Sequence, residues 1–174
     1  MTIYTQQLLS TKVSIPITNI GSNIKEFIEK KLSFELEGKC NEHGYIKTNT
    51  ISIINYSSGL IAGDNILFNI SYECQVALPA EGMIIPCTVS NVTKAGIKAE
   101  VEYDEDKSPI IIFVARDHHF LNNDFSEIKE NDLIDIKVLG KRFELNDNYI
   151  SIIGELQKRK KNKAKGKKKL IIVK

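Results

Sequence analysis

The chain has 174 residues, 42% of them hydrophobic, with 24 Lys or Arg against 22 Asp or Glu. That length holds one ordinary domain or two small ones with packed cores, which excludes a chain disordered throughout. No apolar run approaches the roughly 18 residues of a membrane span, and the opening MTIYTQQLLSTK lacks the basic-then-apolar layout of a secretory signal; a soluble intracellular protein with no membrane partner is expected.

In chain order, Val13, Ile15 and Ile17 alternate into a first strand. Asn23, with Glu26 three residues later, has the layout of a helix N-cap. Ile24, Phe27, Ile28, Leu32 and Leu36 then recur at helical spacing, and Gly38 stands where a C-terminal cap belongs. The apolar stripe of this helix, about four turns long, should lie on a sheet. Gly44 to Tyr56 suggests one or two strands, and Ser57-Ser58-Gly59 a turn. A long strand follows, with Ile66, Phe68, Ile70, Tyr72, Cys74, Val76 and Leu78 at every second position and Pro79 marking a boundary.

Beyond Pro79 the pattern changes to short strands. Ile85, Cys87 and Val89 alternate, Lys94-Ala95-Gly96 makes a turn with a Gly where positive φ is wanted, and Ile97, Ala99 and Val101 return antiparallel. Pro109 to Val114 forms a third strand, and Asp132–Val138 and Asn148–Ile153 a final pair. Five short strands with a long connection between the third and fourth make the pattern of an OB-type barrel. The expected fold is an α+β N-terminal domain over 1–78, an all-β five-stranded OB-fold barrel over 79–157 and a tail over 158–174.

Net charge is +2, but Lys158 to Lys174 contains ten basic residues and no acid, leaving 14 basic against 22 acidic residues, a net of −8, in Met1 to Gln157. An acidic body does not suit a protein that wraps duplex DNA on its surface. The tail suits phosphate contacts that weaken steeply with salt, a nuclear localisation signal, or a solvated end without a partner. Its closing Leu170-Ile171-Ile172-Val173 has the character of a strand that could join a sheet edge. Richness in Ile, Lys and Asn with no Trp points to an A+T-rich genome.

Cys40, Cys74 and Cys87 are odd in number and widely spaced, so no disulfide framework is implied. Cys74 and Cys87 read as small buried apolar residues on strands. Cys40-x-x-His43 has half the spacing of a zinc site, but no second close pair completes a tetrahedron. No metal and no cofactor is expected. Catalytic signatures are also missing: the chain has no Gly-rich phosphate loop, no His-Glu-x-x-His and no nucleophile with an evident base.

Several short motifs recur in a particular order: Glu37-Gly38-x-Cys40, Gly44-Tyr45-Ile46, the long strand ending before Pro79, and Gly82-x-Ile84-Ile85-x-x-Thr88-Val89. Ile112-Phe113-Val114 and Ile150-x-x-Ile153-Gly154 complete the series. From Thr11 to Leu156 the chain thereby resembles the larger stalk subunit of multisubunit DNA-directed RNA polymerases, the family of the seventh eukaryotic subunit, its archaeal counterpart and viral relatives. The barrel resembles the ribosomal-protein S-one type. The resemblance implies a non-catalytic subunit whose N-terminal tip domain docks on polymerase core subunits and whose barrel projects near the RNA exit path. It also implies a heterodimer with a small, mostly helical second stalk subunit, contact with nascent single-stranded RNA, and a nuclear location or, for a virus, the host cytoplasm and virion. The chain departs from the family at Cys87, commonly Gly, and at Pro86, which cannot donate to a ladder; a bulged or edge strand is expected there. Barrels of this type often carry an aromatic for base stacking just after the second-strand Gly, where this chain has Ile97.

The RNA-binding candidates are Lys94, Lys98, Phe113, Arg116, His118, His119 and Phe120 on the barrel, with Lys158, Arg159, Lys160 and Lys161 at the root of the tail. Flat rings suit base faces and cations suit phosphates. Phe113, in an apolar strand, suits the core better than a ligand face, and Lys94 and Lys98 equally suit solvated surface. Asp104-Glu105-Asp106 would repel phosphate and should face away from RNA. Core-docking candidates come from the two surface turns GKCNEHGY and NYSSGLIAGDN: Cys40, His43, Gly44, Tyr45, Ser58 and Gly59. The alternatives are a free OB-fold adaptor of translation or RNA degradation, and a scaffold whose barrel binds only protein.

Overall fold

The structure, a computed structural model, describes residues 3–21, 23–101, 108–119 and 123–160. Its N-terminal part is a six-stranded sheet. Strand β1 (Tyr4–Pro16) pairs antiparallel along its whole length with β6 (Asn65–Ala77), from Tyr4 opposite Ala77 to Pro16 opposite Asn65. On its other side β6 receives β3 (Gly44–Ile46), β4 (Ser52–Tyr56) and β5 (Leu60–Ala62), while β2 (Cys40–Asn41) pairs with β3. The alternation expected along β6 holds for Phe68, Ile70, Tyr72, Cys74 and Val76, which are buried, with Asn69 and Gln75 exposed; Leu78, the last of the expected series, lies past the strand's end and is exposed.

Helix α1 (Ile24–Leu36) covers that buried face, burying Ile28 and Leu32 fully against the cluster that includes Val13, Ile15 and Ile70. Each such side chain contributes about 1.5–3 kcal/mol by leaving water. Two details differ from the sequence pattern. Phe27 sits at the margin of the apolar stripe, 37% exposed, and the Asn23 side chain makes no capping bond. Lys31 instead ties the helix to the sheet, its ammonium donating to the Ser14 carbonyl at 2.6 Å. Gly38, with φ +72°, follows the helix in the left-handed conformation that ends many helices.

The C-terminal part is a closed barrel of β7 (Ile84–Val92), β8 (Gly96–Glu100), β9 (Ile110–Ala115), β10 (Leu133–Arg142) and β11 (Ile150–Lys160). Around the barrel the order is β7-β8-β9-β11-β10, returning to β7, and β9 with β11 is the parallel pair. A 3₁₀ turn (Arg116–His118) and the short helix α2 (Asn123–Ser126) lie between the third and fourth strands. This is the OB arrangement. Ile85, Cys87, Val89, Ile97, Ala99, Ile112, Ile136 and Ile152 fill the interior, and closure leaves no long unpaired edge.

The strand carrying Pro86 accommodates it as expected. β8 pairs with β7 only from Thr88 to Val92, with a register shift between Val89 and Asn91, so Pro86 faces β10 alone. Gly96 has the positive φ expected of this turn, +159°, and a Cβ there would also lie 2.3 Å from the Val114 carbonyl oxygen. Strand β11 continues to Lys160, opposite Leu133, so the basic run begins inside the barrel's last strand.

The two parts meet at β2. The Cys40 N–H donates to the Asp147 carbonyl at 2.8 Å, and the Asn146 N–H donates to the Cys40 carbonyl at 2.9 Å. These bonds clasp the N-terminal sheet to the β10–β11 turn. The Cys40 side chain is buried in the barrel's own apolar cluster, where Ile3 and Tyr45 also pack. Lys141 adds a bond from its ammonium to the Pro79 carbonyl at 2.9 Å.

Candidate nucleic-acid interface

On the outer surface of the barrel, strand register sets four side chains in one row. Asn91 on β7 is opposite Lys98 on β8, Lys98 is opposite Phe113 on β9, and Phe113 is opposite Ile153 on β11. Phe113 is 45% and Ile153 55% exposed. The β9 burial pattern alternates, with Ile110, Ile112 and Val114 inward and Phe113 outward. The core reading of Phe113 is therefore corrected: period-2 alternation turns it to the surface. Ile97 is 2% exposed and inside the barrel. The Ile97 side chain itself is therefore turned away from solvent, and an exposed ring of this face, Phe113, is on the third strand.

A mostly apolar groove of about 410 Å³ lies over this row, between the β7–β8 turn and Ile153. Thr93 locks the turn at one end, its hydroxyl donating to the Gly96 carbonyl at 3.0 Å. Lys94 is exposed on the same turn. Lys98 is paired, its ammonium 3.1 Å from the Glu100 carboxylate. Such half-exposed pairs contribute at most about 1 kcal/mol, yet Glu100 offsets part of the charge that a phosphate would meet.

Arg116 is exposed but anchored: its guanidinium donates to the Thr93 carbonyl at 3.2 Å and lies 5.8 Å from the centre of the Phe125 ring. His119 is 6% exposed, stacked on Phe125 with ring centres 5.2 Å apart. Its Nδ1 lies 2.9 Å from the Ala115 carbonyl, and its Nε2 accepts the Leu156 N–H at 2.9 Å. Both ring nitrogens are thus engaged internally, and His119 braces the connection after β9 against β11 instead of offering its ring to a ligand. His118 lies on the 3₁₀ turn. Phe120, Asp104-Glu105-Asp106 and Lys161 lie outside the described residues, and Lys158, Arg159 and Lys160 are on β11.

The docking candidates divide similarly. Cys40 and Tyr45 serve the seam just described. Burial, with Asp147 nearby, pushes the Cys40 thiol up to about 11. Gly44 is buried at φ +123°, and a Cβ there would lie 2.5 Å from the Ala77 carbonyl oxygen; only glycine fits. His43 is exposed, 3.4 Å from the Glu42 carboxylate. Ser58 and Gly59 are exposed beside the β5–β6 hairpin. The strongest surface feature there was not singled out from the sequence: Leu60 is 65% and Ile61 77% exposed, with Ile54 56% exposed nearby on β4. Among the described residues no three His, Cys, Asp or Glu side chains gather as metal ligands, and no helix is long and apolar enough to cross a membrane.

An α+β sheet part clasped to an OB-fold barrel defines the class of protein. No family model matches the chain. A mimivirus protein (Acanthamoeba polyphaga mimivirus) named as DNA-directed RNA polymerase subunit L376 is 24% identical over 171 residues, 88% of this chain and 82% of that protein. The RNA polymerase II subunit RPB7 of Glycine max is 26% identical over 161 residues, 78% of this chain and 88% of its own length. Subunit 7 of the Arabidopsis thaliana enzyme is 32% identical over 116 residues, 65% of this chain and 60% of that one. The chain is thus similar, over most of its length, to a viral DNA-directed RNA polymerase subunit and to the RPB7 subunits of RNA polymerase II.

Proposed function

We propose that this chain is a non-catalytic stalk subunit of a DNA-directed RNA polymerase. Its N-terminal part anchors to the core, and its barrel and basic tail meet the emerging transcript. The observation that carries this is the similarity to proteins named as subunits of DNA-directed RNA polymerases, covering 88% of the chain in the mimivirus case. Leu60 and Ile61, beside Ser58 and Gly59, give the anchor its physical basis: two large apolar side chains 65% and 77% exposed at a hairpin tip have no partner role within the fold. Exposed apolar groups of this kind gain by burial at an interface. His43 stands at the opposite end of β6, on the turn before Tyr45, which pairs with Ala77, and belongs to a separate expected contact.

Lys94, Lys98, Phe113 and Arg116 are the barrel's RNA-facing groups, and the tail from Lys158 supplies the electrostatic share of binding. A small helical second subunit packs against both parts, where Ile84, Leu139, Leu145 and Tyr149 leave apolar surface in solvent close to the seam. The transcript is guided by weak, transient contacts, because the globular body carries a net −8 and repels phosphate at long range.

Affinity purification of the tagged chain from its native source tests this. A wash at about 0.5 M salt shortens the Debye length below the roughly 8 Å of physiological salt and strips tail-held RNA. Co-purification of the large polymerase subunits and one small helical protein is the expected result. Ribosomal or nuclease components in their place would support a free RNA-binding adaptor and overturn the stalk assignment.

A further inference from the structure

The basic tail carries one apolar block, Leu170-Ile171-Ile172-Val173, which neither phosphate contacts nor a solvated end accounts for. It lies outside the described residues, and burying it takes an exposed apolar surface within its reach. Chain length decides which. The described part of β11 ends at Lys160, and the ten steps from there to Leu170 cover at most about 33–36 Å. The Cys40–Asp147 seam lies past the far end of β11, whose length is about 33 Å. The open outer side of β1 and the patch of Ile54, Leu60 and Ile61 are farther still, beyond the full stretch of the spacer. Ile153 is only seven residues back from Lys160, about 23 Å along the strand. Of the exposed apolar positions in range, Phe113 and Ile153 line the groove of about 410 Å³, whereas Ile84 and Leu139 stand outside it.

Charge permits the same path. Glu155 lies on β11 between Lys160 and Ile153, and the body as a whole carries −8 against the ten cations of the tail. The cations at the groove itself are largely engaged: Lys98 by Glu100, and Arg116 by the Thr93 carbonyl and the Phe125 ring. Lys94 stays exposed on the turn.

We propose that in the free chain the groove over Phe113 and Ile153 is the docking site of this chain's own Leu170–Val173 segment. The nine residues before it, six of them Lys, form the strap that returns along β11. Four side chains make a weak contact, but a short tether gives them a local concentration on the order of millimolar, so the contact is filled within one chain before it is filled between two. The strap leaves its ammonium groups in solvent. Docking therefore does not depend on the RNA reading or on the polymerase assignment, and each can fail without the other.

The test uses the full chain, free of RNA, with a photo-crosslinking phenylalanine analogue at position 113. Irradiation should join position 113 to the tryptic peptide LIIVK, residues 170–174, of the same chain. The yield should be similar at about 0.15 and 0.5 M salt, because screening weakens charge contacts and spares apolar ones. Ile171→Asp combined with Ile172→Asp brings unpaired charge to an apolar surface and should lower the yield about tenfold or more. Methyl NMR checks the contact with Phe113 unaltered: nuclear Overhauser effects between Ile153 and the methyl groups of 170–173 are expected, and their absence would overturn the docking. Crosslinking that vanishes at the higher salt would overturn it in favour of charge attraction alone. Products joining two chains, growing with protein concentration, would overturn it in favour of a second copy's tail. A yield that the double variant leaves unchanged would overturn it outright.

Discussion

The sheet and the barrel solve the same problem differently. The barrel closes on itself, so its five strands bury alternate residues inside and, among the described residues, leave only the start of β7 unpaired on one side. Its outward residues are free for binding without cost to the core, and the Asn91–Lys98–Phe113–Ile153 row is the result. The N-terminal sheet stays open and hides one face under α1. Its short β4 and β5 end in solvent with Ile54, Leu60 and Ile61 uncovered. A closed barrel offers a face; an open sheet offers an unfinished edge. The first suits a ligand that comes and goes, the second a permanent partner.

The largest effect should come from asking whether these parts unfold together. Ile136 in the barrel and Ile28 beneath the sheet are both fully buried. Replacing either by Ala should cost about 2–5 kcal/mol through lost burial and the cavity left behind. The Cys40 clasp and the shared apolar cluster at the seam predict that both variants shift one common denaturant transition. Two separate transitions, each sensitive to one substitution, would show the parts to be energetically independent.

The cysteines sharpen the comparison because one lies in each region: Cys74 in the sheet, Cys87 in the barrel and Cys40 at the seam. Burial raises the thiols of Cys40 and Cys74 to about 11 and of Cys87 to about 12 from an ordinary 9.0, with Asp147, Glu37 and Asp135 respectively adding to the shift. A raised acidic group stays neutral in the folded chain while its unfolded counterpart ionises. Its contribution is therefore whole below pH 9 and is lost as pH climbs toward 11–12. At pH 10 the loss is on the order of 1 kcal/mol per thiol. Stability by denaturant titration should fall between pH 9 and 10, and thiol reagents at pH 8 should label all three only as fast as the chain opens. Rapid labelling of Cys40 alone would mean that the seam opens on its own.

Much of this architecture was legible in local sequence. Period-2 alternation located β6 and the barrel strands, and the helical stripe located α1, because each burial pattern repeats within a few residues. The same alternation would have turned Phe113 outward had it been counted from Ile110, Ile112 and Val114. Three features lacked any local signal. The Cys40–Asp147 clasp joins residues over a hundred positions apart, the role of His119 depends on the backbone of Leu156, and the tight space at Gly96 comes from the approach of β9. Each is a long-range contact, and neither composition nor spacing encodes it.

His119 gives a smaller effect confined to the barrel. His119→Ala leaves the buried Leu156 N–H without an acceptor and removes the stack on Phe125. The expected cost is about 1–3 kcal/mol, the penalty for an unsatisfied buried donor. Amide exchange should quicken first at Leu156 and along the end of β11. Unchanged stability together with weakened RNA binding would instead make His119 a ligand contact, against its burial.

The smallest effect on folding belongs to the open edge, and it separates the two regions most cleanly. Ile61→Asp replaces a side chain 77% exposed, so stability should move by no more than about 0.5 kcal/mol. An edge finished by the polymerase core would bury that carboxylate in an apolar interface, where a charge without a partner is costly. Ile61→Asp should therefore fold normally, keep its RNA affinity, and fail to co-purify with the large polymerase subunits. Phe113→Ala on the barrel should do the converse, joining the assembly while losing RNA. If Ile61→Asp assembles normally, the hairpin tip is not the anchor, and His43 and Ser58 are the next positions to replace.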